Sequence, residues 1–155
     1  MRIDVVAVGR RPPAWVQAGF DEFAGRMPRH LPLGLRTVNP GQARRGGDLD
    51  RARAQEWAAL RDAAGAARLV ALDERGRSWS TQDLADYLDD AMQQGRDLAF
   101  VIGGADGLDP DGRRMAECCW SLSALTLPHM LVRVVVAEQL YRAWTLLAGH
   151  PYHRG

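Results

Sequence analysis

The sequence predicts an α/β fold in which a mostly parallel sheet is flanked by helices. Three observations carry this. Short apolar runs rich in β-branched residues alternate with helix-length segments of Ala, Leu, Arg and Glu. Strands alternating with helices imply a parallel sheet covered on both faces. The chain has 155 residues and is 46% apolar, enough for a core and too apolar for disorder. One domain over residues 1–155 is expected, since no repeat, low-complexity tract or internal boundary interrupts the pattern.

The elements follow in order. Ile3–Val8 is a buried strand ended by Gly9. Residues 10–13 turn the chain through two prolines. Residues 15–27 read as a helix with Trp15, Phe20 and Phe23 as core contacts. Leu33–Val38 is a second strand. Residues 39–48 hold Pro40, three glycines and Arg44-Arg45, which predicts a mobile basic loop. Leu49–Ala64 is a second helix. Residues 68–73 form a third strand ending on Asp73, and residues 74–77 a turn. Ser80 can cap a helix through Leu84 and Leu88 toward Gly95. Leu98–Ile102 is a fourth strand, followed at once by Gly103-Gly-Ala-Asp-Gly107. Asp109-Pro110 opens a helix to about Cys119. Residues 124–127 read as a fifth strand stopped by Pro128. Residues 130–148 form the last helix, with Val134, Val135, Leu140 and Leu147 as its apolar stripe and Gly149 at the C′ position.

Charge is unevenly spread. The net is only +1, yet residues 1–77 carry 14 Arg against 9 acids and residues 78–155 carry 6 Arg against 10 acids. The first half can present a basic face to phosphate or simply a solvated surface. All basic residues are arginine, so no lysine is available as a base or Schiff-base former. The two cysteines, Cys118 and Cys119, are adjacent, which strains a disulfide between them. The expected compartment is the reducing cytoplasm, with neither a signal peptide nor a membrane span. No Cys/His/carboxylate cluster suggests a metal, since His150 and His153 lack further ligands nearby.

In a parallel α/β sheet, ligands gather at the carboxyl ends of the strands. Three such ends carry distinctive residues: Leu72-Asp73, Gly103-Gly104 and Leu127-Pro128-His129. The glycine loop is neither a dinucleotide fingerprint nor a P-loop, and it fits a tight turn as well as a ligand contact. The run from Ser121 to His129 interleaves hydroxyls with leucines. It suits an edge strand with solvent-facing hydroxyls, or a strand and turn whose backbone reads an adenine edge. Arg142 beside an apolar face needs a partner. Glu138 at i−4 is one, and a phosphate or a uracil carbonyl is another. The last six residues, His150-Pro-Tyr-His-Arg-Gly155, concentrate groups that donate hydrogen bonds, stack and pair with phosphate.

Several of these segments together resemble a known family. They are Phe100-Val-Ile-Gly-Gly-Ala-Asp-Gly-Leu108, Trp120-Ser-Leu-Ser-Ala-Leu-Thr-Leu-Pro-His129, Leu131-Val-Arg133, Ala137-Glu-Gln-Leu-Tyr-Arg-Ala-Trp144 and His150-Pro-Tyr-His-Arg154. Val5-Val-Ala-Val-Gly9 and Pro13-Ala-Trp-Val16 belong to the same likeness. The chain resembles the bacterial ribosomal large-subunit RNA pseudouridine N3-methyltransferases of type H, over nearly its whole length. Ala105 stands where that family usually has proline, which implies a slightly less rigid loop.

The resemblance implies a SPOUT-type fold with a C-terminal trefoil knot, a homodimer, and S-adenosylmethionine as methyl donor. The implied substrate is a pseudouridine in helix 69 of 23S rRNA, on the assembled 70S ribosome. It further implies that Leu72, Gly103, Gly104, Ser123, Ala124, Leu125, Thr126, Leu127 and Pro128 bind the cofactor. Tyr141, Arg142, Tyr152, His153 and Arg154 are then substrate-binding residues. His153 and His129 are the candidate proton acceptors, His153 preferred, and Arg142 would stabilise the anionic base. The basic loop would be residues 41–47, with Arg44 and Arg45 carrying its charge. The rivals to this reading are a nucleotide-binding oxidoreductase and a non-catalytic ribosome- or rRNA-binding factor.

Overall fold

The computed structural model describes residues 1–9 and 11–154, the side chain of Arg154 excepted. Arg10, placed in a turn from the sequence, therefore lies outside the described residues. Five strands form one sheet: β1 (Ile3–Val8), β2 (Leu33–Val38), β3 (Arg68–Ser78), β4 (Leu98–Ile102) and β5 (Cys118–Ser121). Their order is β2-β1-β4-β3-β5, and every pairing is parallel. The helices are α1 (Ala14–Ala24), α2 (Leu49–Ala64), α3 (Thr81–Gln94), α4 (Pro110–Met115) and α5 (His129–Ala148).

Side-chain alternation along the strands divides the core in two. Ile3, Val5, Val70 and Phe100 face a layer containing Phe20 of α1, Leu84 and Leu88 of α3 and Leu140 of α5. Val6, Val8, Ala71 and Val101 face Trp57 and Leu60 of α2. The central strands are buried on both faces, which explains why β1 and β4 read as continuous apolar runs. Local signals set the helix ends. Ser80 and Asp83 exchange hydrogen bonds of 2.8 and 3.0 Å in a capping box. Gly95 and Gly149 close α3 and α5 in the left-handed conformation.

Four expectations are corrected. The first concerns β5, which is Cys118–Ser121 rather than residues 124–127. Trp120 anchors it, only 3% exposed, stacked on Trp79 and edge-on to Phe100. Beyond it, Ser121 Oγ donates to the Ser123 carbonyl and Leu125 N–H donates to Ser123 Oγ. Hydroxyls thus satisfy backbone groups that a strand would have paired. The helix expected to reach Cys119 accordingly ends at Met115.

The second correction is β3, which runs on through the predicted turn at residues 74–77. After a register shift, Arg77 pairs with Trp120 and Ser78 with Ser121. Gly76 permits this, because a Cβ there would lie 2.6 Å from the Cys119 carbonyl carbon. The third concerns the helix stripes. Val16 and Phe20 are buried on α1, while Trp15, one residue off that face, is 60% exposed. Of the four residues expected in the α5 stripe only Leu140 is buried; the buried face also holds Arg133, Val136, Ala137 and Tyr141. The fourth is the basic loop, where Gln42–Gly46 forms a short 3₁₀ helix.

Replacing Gly76 with alanine forces the β3 and β5 backbones apart. A loss of about 1–3 kcal/mol in stability is expected, read as a lowered midpoint in thermal unfolding followed by circular dichroism.

Candidate active site

A cleft of about 400 Å³ opens at the carboxyl ends of β4 and β5, beside the middle of β3. This size suits a small-molecule ligand. One wall is residues 72–75 of β3, another is residues 102–108, and the third is residues 120–123 and 125–127 with His129 and Val132 of α5. The glycine loop has little freedom. Gly107 N–H donates to the Gly104 carbonyl at 3.0 Å, closing a turn with Ala105 and Asp106 at its tip. Gly107 has φ +79, which glycine adopts without strain. A Cβ on Gly103 would stand 2.6 Å from the Gly107 carbonyl carbon, whereas one on Gly104 would meet only side chains, Val8 at 3.2 Å and Arg44 at 3.8 Å.

The loop between β5 and α5 carries a large exposed apolar group, Leu125, at the cleft. It leads through Pro128 into α5. His129 opens that helix with its Nδ1 buried and without a hydrogen-bond partner. Burial, and after it the positive charge of Arg133, pushes the imidazole below its ordinary pKa. His129 is therefore neutral at pH 7 and able to accept a proton. Arg133, one turn on, is fully buried and donates from Nη2 to the Val8 carbonyl at 3.1 Å, tying α5 to the end of β1. Its Nε and Nη1 are buried without partners.

The C-terminal residues assemble elsewhere. Arg142 grips Glu138 through Nε at 2.8 Å and Nη2 at 2.7 Å. Tyr152 Oη donates to the same carboxylate at 3.1 Å, and the guanidinium lies over the Tyr152 ring. Tyr152 in turn meets buried Tyr141 edge-on, 4.7 Å between centroids. His153 has a buried, unpartnered Nδ1. At 1.5 Å per residue, Tyr141 stands about 18 Å along α5 from His129.

The structure thus brings Leu72, Gly103, Gly104, Ser123, Leu125, Thr126, Leu127 and His129 around one cleft. Ala124 and Pro128 belong to the same segment without lining it. Tyr141, Arg142, Tyr152 and His153 cluster at the far end of α5, outside the cleft of their own chain. The side chain of Arg154 lies outside the described residues. Arg53, Asp106, Arg113 and Trp120 also line the cleft and were not singled out from sequence. Asp106 and Trp120 stand inside recognisable motifs. Arg53 sits on α2 and Arg113 on α4, and only the tertiary fold brings them in. Among the described residues no group of three or more His, Cys, Asp or Glu is placed to hold a metal ion. No helix there is long and apolar enough to cross a membrane.

Comparison with known proteins bears on this cleft. The chain is 50% identical over 155 residues to the ribosomal RNA large subunit methyltransferase H of Paraburkholderia phymatum, covering 99% of each. It is 49% identical to the protein of the same name from Methylococcus capsulatus, covering 99% of this chain and 100% of that one. Among solved structures, a probable methyltransferase from Bordetella pertussis superposes with a TM-score of 0.56 at 18% identity, over 92% of this chain and 95% of that one. A probable methylase family protein from Haemophilus influenzae gives 0.60 at 12% identity, over 97% and 69%. Those two share the fold. The family model described as predicted SPOUT methyltransferase matches residues 1–153, and the chain belongs to that family.

Proposed function

We propose that this chain methylates large-subunit ribosomal RNA with S-adenosylmethionine as donor, at N3 of a pseudouridine in helix 69 of 23S rRNA on the assembled ribosome. The observation that carries the reading is the glycine-rimmed cleft, in a chain half identical, end to end, to proteins named for large-subunit rRNA methylation. The cleft's features fit the donor. Its volume is sufficient, its glycine rim brings backbone to the cleft wall, and Leu72, Leu125 and Leu127 supply apolar contacts. The residues proposed to hold it are Leu72, Gly103, Gly104 and the segment 123–128.

The donor supplies an electrophilic methyl group on sulfur. The chain's part is to place the base in line with it and to take the imide proton, so that N3 gains the methyl as the sulfur–methyl bond breaks. His129 lines the cleft and is neutral, which suits it to receive that proton. His153, preferred from sequence, is held on the arm with Tyr152 and Arg142. Those three and Arg154 are proposed to bind the RNA, by stacking on a base and pairing with phosphate or a uracil carbonyl.

Because the arm stands far from its own cleft, the reading includes a homodimer in which one protomer's arm completes its partner's site. Trp15 is 60% exposed and Leu147 37% exposed. Met130, Leu131, Val134 and Val135 of α5 are only half-buried, an apolar surface suited to a second copy. The C-terminal knot is part of the same proposal, and so are a single domain over residues 1–155 and a cytoplasmic location.

Mass mapping of methylated nucleotides in ribosomes from cells with and without the chain tests the substrate; an unchanged map refutes it. Removal of residues 150–155 is expected to abolish methylation while donor affinity stays near wild type by calorimetry. Mixing that truncated form with a cleft-blocked Gly103→Arg form is expected to restore turnover through heterodimers, which an arm serving its own cleft cannot do. Gly103→Ala is expected to weaken donor binding by about tenfold or more, roughly 1.4 kcal/mol, and Gly104→Ala by less, because its Cβ would meet the Val8 side chain at 3.2 Å rather than backbone at 2.6 Å.

A further inference from the structure

The sequence suggests a mobile loop whose charge Arg44 and Arg45 carry, in the half of the chain that can present a basic face to phosphate. The structure uses Arg44 otherwise. Glu56 of α2 is only 3% exposed, and its carboxylate accepts from Gly41 N–H at 2.9 Å and from Arg44 Nη2 at 2.8 and 3.0 Å. Arg44 Nη1 donates to Asp106, at the tip of the glycine turn. One guanidinium therefore joins a buried carboxylate on α2 to the loop that forms a wall of the cleft. Its fork of fixed N–H groups lets it hold two carboxylates at once.

The rest of the segment is fastened to α2. Ala43 N–H donates to Gln55 at 3.0 Å, and a Cβ on Gly41 would stand 2.4 Å from the Ala52 carbonyl oxygen. The 3₁₀ helix is thus a rigid bracket, and Arg44 is the member that reaches from it to Asp106. The guanidinium also packs beside Gly104, 3.8 Å from where its Cβ would be. Its pairing with Asp106, and next with Glu56, raises its pKa and keeps it charged throughout the physiological range.

We propose that Arg44 is a positioning residue of the methyl-donor site: by holding Asp106 against the α2 bracket it fixes the Gly104–Gly107 turn in the shape that receives the donor. This rests on the reading of the cleft as the donor's site. It assigns to the first half of the chain a part in donor binding. It also leaves Arg45, not Arg44, as the residue of that pair available to RNA.

The test is a double-mutant cycle on donor binding, measured by calorimetry with S-adenosylmethionine and the full-length protein. Asp106→Asn leaves the Arg44–Glu56 pair intact, and Arg44→Lys keeps the charge but loses the fork. Each is expected to raise the donor's Kd by about tenfold, with the unfolding midpoint within a few degrees of wild type. The double variant should be no worse than the poorer single one. In turnover, the KM for donor should rise while the KM for ribosomes holds. Single variants that bind donor as tightly as wild type overturn the proposal. Strictly additive losses overturn it too, because Asp106 would then act without Arg44. A raised KM for ribosomes with donor affinity intact overturns it in favour of the phosphate role. Failure of the wild-type protein to bind the donor at all would instead refute the reading of the cleft.

Discussion

Gly76 and Gly103 are two of the positions in this molecule that leave no room for a side chain, and they shape the cleft. At Gly76 the β3 backbone lies against Cys119, which seats β5 beside β3 rather than at some other edge. At Gly103 the end of β4 lies against Gly107, which folds the following loop back over the strand. Backbone thus meets backbone where a layer of side chains would otherwise intervene. With all five strands parallel, these close approaches occur at the same end of the sheet. The ends of β4 and β5 and residues 72–75 of β3 form one concave wall there.

Much of this was legible in the sequence because local chemistry and tertiary context agree. β1 and β4 lie in the middle of a sheet covered on both sides, so their residues carry no polar face to confuse the pattern. Ser80, Gly95 and Gly149 declare helix ends through side chain and conformation alone. Leu72-Asp73, Gly103-Gly104, Leu127 and His129 do meet at one cleft, although of the three segments only the glycines follow a strand end. What misled was polarity without a turn: residues 74–77 are charged because they extend an edge into solvent. In the mirror case, residues 124–127 look like a strand because leucines space their hydroxyls. Their hydrogen bonds nevertheless close within the segment. Trp15 and the outer face of α5 misled for another reason, since an exposed apolar side chain is indistinguishable in composition from one that belongs to a core.

The arginines show why charge counts say so little about partners. Arg44 bridges two carboxylates, Arg133 is sealed under α5, Arg68 holds Glu117 at 2.9 Å and Asp90 at 3.3 Å, and Arg142 is clasped by Glu138. Arg44, Arg68 and Arg133 are fasteners between elements, while the Arg142–Glu138 pair is internal to α5. The basic excess of residues 1–77 is thus partly consumed inside the fold, and the net charge facing a phosphate is smaller than the sequence suggests.

Helix α5 begins in the wall of the cleft and ends at the arm, and it is hooked to β1 by Arg133 and packed along α1 and α3. At 20 residues it is a rod of about 30 Å. A rod fastened at one end and along its flank behaves as a gauge block. Within one chain, the spacing between the cleft and the arm is dictated by the length of this helix rather than by the slack of a linker.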